Sequence, residues 1–81
     1  MNDLYIPKTE LERLRKDFPA GCRVQLAKMD DAQAPAVGTH GTVLSVDDIG
    51  TIHVKWDTGS SLGVVYNEDS CVRIGGEPKN A

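Results

Sequence analysis

Thr51-Ile52-His53-Val54-Lys55-Trp56-Asp57-Thr58-Gly59 is the stretch that decides the fold. Ile52, Val54 and Trp56 alternate with His53 and Lys55, so in an extended backbone the apolar trio faces one way and the polar pair the other. Asp57-Thr58-Gly59 then reads as a hairpin turn that ends in a left-handed glycine bulge. The chain therefore comes back on itself, and Ser61 to Tyr66 is expected to be the return strand, with Leu62, Val64 and Tyr66 on one face. Gly63 marks a place where that strand must bend sharply or be approached closely.

Working outward, the same two-residue period recurs on both sides. Thr42 to Asp47 reads as a strand, joined to Thr51–Asp57 by Asp48-Ile49-Gly50, a tight turn whose glycine can take positive φ. Cys22, Val24 and Leu26 alternate with Arg23 and Gln25 in an earlier strand, and Ala27 to Gly41 is a long connection with no apolar alternation. Downstream, Asn67-Glu68-Asp69-Ser70 turns and Cys71 to Ile74 forms a short last strand. Five short strands with a long first loop and tight later hairpins predict a mainly β fold, a five-stranded SH3-like β-barrel, because closing a sheet removes its exposed edges. The alternative is an open five-stranded sheet covered by a helix.

That helix lies in front. Thr9-Glu10-Leu11-Glu12 matches a capping box, which predicts a short N-terminal α-helix starting at Thr9. Leu11, Leu14 and Phe18 recur at i, i+3 and i+7 as one apolar stripe, Glu12 and Lys16 form an i,i+4 pair, and Phe18 before Pro19 is pushed out of helical geometry. The chain divides into an arm and helix over 1–20, a barrel over 21–74 and a flexible tail over 75–81. Leu4, Tyr5 and Ile6 in the arm, with Leu11, Leu14 and Phe18, are apolar positions that need a cover. They are the candidate residues for self-association into a homo-oligomer.

Length and composition exclude several classes. At 81 residues the chain is one small domain, and 40% hydrophobic with 26% charged residues fits a globular protein rather than a disordered one. No run approaches a membrane span, and Met1-Asn2-Asp3 opens without the features of a signal peptide, so a cytoplasmic location is expected. Two cysteines, Cys22 and Cys71, are too few for a disulfide scaffold and lack zinc-site spacing. A bridge between first and last strands is geometrically open, but reduced core thiols are the preferred reading. The charge is split: through Lys28 six basic residues face four acidic ones, whereas from Met29 onward three face eight. An acidic barrel argues against duplex nucleic acid as a partner.

A resemblance adds to this reading. Gly41-Thr42-Val43, Val46 through Asp57 and Gly59-Ser60-Ser61-Leu62, with Phe18-Pro19-Ala20-Gly21 and Met29-Asp30-Asp31, resemble domain of unknown function family 4314 over about Phe18 to Ile74. The resemblance implies a small barrel and a setting in phages or bacterial mobile elements, hence a host-cell cytoplasm, and it assigns no catalytic residue. More distantly, the glycine-valine strand followed by a Val-x-Trp-Asp-x-Gly hairpin looks like SH3-like substrate-recognition modules of some eukaryotic ubiquitin ligases.

The candidate binding residues are few. Trp56 and Tyr66 offer stacking surfaces, although Trp56 shares its face with core residues. Asp30 and Asp31 in the long loop suit a cation or a basic partner, or simply form a turn. Asp57, Ser60 and Ser61 surround the hairpin, where they bond turn backbone or contact an anion. Arg13, Arg15 and Arg23, with Lys16, form a basic patch fit for phosphate or are solvated charge. Asp57, Ser60, Ser61 and His53 carry the letters of a catalytic triad, but residues four apart on a strand are about 13 Å apart and no nucleophile elbow is present, so no enzyme is expected. Neither His40 nor His53 has ligand spacing to the acids, and no metal or cofactor is implied. The expectation is a non-catalytic binding module of phage or mobile-element origin that self-associates and engages a protein. The alternatives are a counter-defence protein sequestering a nucleotide immune signal at a subunit interface and a single-stranded nucleic-acid binder.

Overall fold

The computed structural model describes residues 6–75. One helix, α1 (Lys8–Asp17), precedes four strands, β1 (Arg23–Lys28), β2 (His40–Val46), β3 (Ile52–Trp56) and β4 (Ser70–Gly75). They form one antiparallel sheet in the order β3-β2-β1-β4. The fold is thus mainly β with one short helix, and the sheet is open rather than closed into a barrel. It is closer to the helix-covered open sheet than to the expected five-stranded closure.

Alternation explains the core. Cys22, Val24 and Leu26 from the β1 segment, Val43 from β2 and Ile52, Val54 and Trp56 from β3 are all buried, and Val64 joins them from beyond the hairpin. Leu44 follows Val43 on the outer face and is exposed, and a bulge between Val43 and Ser45 puts an extra residue into β2, after which Val46 packs against the core. Both hairpin readings hold. Gly50 and Gly59 take φ of +86° and +100°, and each closes a three-residue loop, Asp47 N–H donating to Thr51 O and Trp56 N–H to Ser60 O.

The return strand is where the sequence pattern misleads. Between Ser61 and Tyr66 only Val64 pairs with β3, through reciprocal bonds of 2.9 and 2.8 Å with Ile52. Side chains take the backbone groups on either side. Trp56 Nε1–H donates to Leu62 O at 2.8 Å, Leu62 N–H donates to Ser60 Oγ, and Val65 N–H donates to Asp69 Oδ2 at 3.0 Å. Gly63 is closely approached, as its position predicts: a Cβ there would stand 2.6 Å from Thr51 Cγ2.

The helix starts at Lys8, not Thr9. Pro7 is its N-cap, extended at φ −61° and ψ 147°, with its carbonyl accepting from Leu11 N–H and no side chain capping the end. Thr9 is already helical, so the predicted capping box does not form. The helix stops at the expected place, Phe18 N–H donating to Leu14 O before Pro19. Leu14 and Phe18 pack on the core, and Ile6 is buried with its Cδ1 against the Gly50 position. Leu14 and Phe18 of the stripe, and Ile6 before it, therefore find cover within the chain, while Leu11 is half-buried and is not among the residues packed on the core. Leu4 and Tyr5, which the self-association expectation also includes, and residues 76–81 of the tail lie outside the described residues. Among the described residues no helix is long and apolar enough to cross a membrane.

Cys22 and Cys71 are both thiols and no disulfide joins them. The register sets Cys71 opposite Leu26, four residues along β1 from Cys22. Burial, assisted by the neighbouring Cys22, pushes the Cys71 thiol up to about 11.

Candidate functional site

A cleft of about 500 Å³ opens where the β1–β2 connection, β3 and the chain after the second hairpin meet. Met29, Leu62, Gly63 and Val65 give it apolar surface. Asp30 and Asp31 stand on one side, Glu68 and Asp69 on another, and Thr51, His53 and Ser61 complete the polar lining. No lysine or arginine lines it among the described residues. Four carboxylates around one concavity give a negative potential that low-dielectric walls concentrate.

Each wall has a local cause. Asp31 Oδ1 accepts from Gln33 N–H at 2.8 Å, a turn that sends the connection back toward the sheet. Asp69 ties the opposite wall by accepting from Val65 N–H, while Glu68 N–H and Asp69 N–H both donate to Val65 O. Without a side chain at 63, Thr51 and His53 reach the cleft surface. His53 Nε2 lies 2.9 Å from Asp47 Oδ2, and Asp47 Oδ1 accepts from Ile49 N–H and Thr51 N–H. Partial burial works to raise the Asp47 carboxyl, but the bonds from His53, Thr51 and Ile49 outweigh it and hold the group below its usual range.

Of the candidate residues, Asp30, Asp31 and Ser61 come together here. Tyr66 does not: it flanks a separate, smaller apolar hollow of about 140 Å³ with Leu14, Phe18, Val64 and Cys71. Trp56 is 1% exposed and its indole N–H is committed to Leu62 O, so it is core and offers no stacking face. Among the described residues the Asp57 carboxylate bonds a side chain rather than turn backbone. Arg23 grips it with two bonds of 2.9 and 2.5 Å, and the same guanidinium reaches Thr42 Oγ1. That hydrogen bond from Arg23 holds the Asp57 carboxyl below its ordinary value.

The basic patch is dispersed and neutralised. Arg13 pairs with Glu10 and Asp17 on its own helix, and Arg15 reaches Asp48 at 2.8 Å and Val46 O. With Arg23 on Asp57, all three arginines proposed for phosphate have carboxylate partners. The triad letters do not assemble either, since His53 turns to Asp47 rather than Asp57 and no hydrogen bond joins it to Ser60 or Ser61 among the described residues. No group of three or more metal-ligating side chains is present among those residues.

Glu68, Asp69, His53 and Thr51 were not singled out from sequence as parts of a binding site. The excess of acid after Met29 was the available signal, and only the folded turn brings it around a cavity. Comparison with known proteins adds one finding: residues 7–74 match the family model described as Domain of unknown function (DUF4314). No curated protein and no solved structure matches.

Proposed function

We propose that this chain, which belongs to the domain of unknown function 4314 family, is a non-catalytic binding module whose cleft receives a lysine- or arginine-bearing segment of a partner protein. One observation carries the reading: a cleft of about 500 Å³ with four carboxylates and no basic residue among its described lining. The volume falls within the range of ligand pockets, and the apolar surface of Met29, Leu62 and Val65 suits the methylene stem of such a side chain. Charge disfavours a nucleotide or single-stranded nucleic acid in the same place, because a phosphate would meet Asp30, Asp31, Glu68 and Asp69 with no cation in the lining to offset them.

We read the same sheet as SH3-like. The order β3-β2-β1-β4, with the Val64 segment bridged beside β3, follows the path of an SH3-like sheet whose fourth strand has shrunk to one bridge. The distant likeness to SH3-like substrate-recognition modules agrees with a recognition role, and the phage or mobile-element setting implied by the resemblance fits a short adaptor.

Titration calorimetry with tetralysine at low salt tests the reading. Binding is expected to weaken steeply with added salt and by about tenfold in the Asp30→Asn, Glu68→Gln double variant, since neither change touches a carboxylate that the fold uses for a hydrogen bond. Equal binding by wild type and variant refutes the cleft as the site.

A further inference from the structure

We propose that His53 is the residue through which the cleft reads its cationic guest, accepting a hydrogen bond at Nδ1 when neutral and repelling the guest when protonated. The inference rests on the basic-segment reading above and adds to it a specific contact and a pH dependence.

The geometry begins with Asp47. An ionised carboxylate only accepts, so the 2.9 Å contact between Asp47 Oδ2 and His53 Nε2 places the imidazole proton on Nε2. A neutral ring so fixed has a lone pair on Nδ1. That nitrogen is on the Gly63 side, 3.9 Å from where a Cβ on Gly63 would stand, and both residues line the cleft. Residue 63 puts no side chain in front of Nδ1. An acceptor thus sits among four carboxylates on a wall that they do not themselves form.

The charged groups around the ring come from several elements. Asp30 and Asp31 belong to the connection after β1, Glu68 and Asp69 to the turn before β4, and Asp47 to the hairpin that carries the ring. Lys55 follows two residues on along the same face of β3, and Arg15 engages Asp48 at the hairpin tip. Protonation adds a hydrogen at Nδ1, converts the acceptor to a donor and adds positive charge to the wall. A lysine ammonium then loses one partner and meets a like charge. Comparing the wild type with a variant that lacks the imidazole isolates the ring's share of any change with pH.

The test combines two measurements. Nitrogen-15 spectra of the wild-type imidazoles, with His40→Gln used to assign His53, are expected to show the Nε2–H tautomer at pH 7.5. An Nδ1–H tautomer overturns the inference even if tetralysine binds. When the pH is lowered from 7.5 to 5.5, tetralysine affinity is expected to fall clearly in the wild type and by less than about twofold in His53→Gln. Gln keeps a donor for Asp47 and does not titrate. Parallel weakening in both proteins overturns the role of His53 while leaving the cleft as the site. Absence of tetralysine binding to the wild type at pH 7.5 overturns the basic-segment reading and this inference together.

Discussion

A single carboxylate, Asp47, fastens the β2–β3 hairpin at three points, taking Ile49 N–H and Thr51 N–H on one oxygen and His53 on the other. Its folded pKa lies below its usual value, so its contribution to stability is complete above about pH 4, where the unfolded group ionises, and is lost as pH falls through the folded value. Asp47→Asn should therefore be less stable than wild type at pH 7, with the difference narrowing by pH 3. Urea midpoints at the two pH values measure it, and a constant gap would mean that the carboxylate's charge is not the source. Part of this was legible in the sequence: Asp48-Ile49-Gly50 read as a tight turn, and Asp47 bonds the amide of Ile49 within it. Its reach to His53 was not, because cross-hairpin register is set by the bulge in β2 and does not follow from residue spacing. The Arg23–Asp57 fork, joining residues far apart in sequence, was hidden for the same reason.

At the level of elements, period-two runs were read well wherever ladder bonds were free to form, as in β1, β3 and β4. The pattern failed at Leu62, Val64 and Tyr66, which alternate as a strand would, because the indole of Trp56, the hydroxyl of Ser60 and the carboxylate of Asp69 take the neighbouring backbone groups. Similarly, the letters of a capping box at Thr9 lost to Pro7, which is extended at ψ 147° and whose carbonyl accepts the first helical bond, from Leu11 N–H. The apolar stripe of α1 was correctly seen as needing a cover, and the sheet itself supplies it. Phe18→Ala should then cost about 2 kcal/mol, less than for a fully buried ring, while an alanine at the exposed Glu12 costs little. Urea unfolding measures both. A loss that depends on protein concentration would instead place Phe18 at a contact between copies.

For the molecule as a whole, the acid surplus after Met29 was visible in the sequence but the concavity that gathers it was not, since the cleft exists only once three separate segments converge. The cysteines report on the same integrity. Cys22 is fully buried and burial holds the Cys71 thiol protonated well above neutral pH, so both should react slowly with a disulfide reagent at pH 8. Denaturant should release both together, with no disulfide formed beforehand; fast labelling of either in the native protein would show that the sheet opens locally there. The bond from the Trp56 indole to Leu62 O has a further reach. It suspends one edge of the acidic hollow from the deepest ring of the interior, so substitutions that tighten the interior and those that reshape the hollow act on a shared hinge. Lineages carrying this architecture are expected to alter the two in concert.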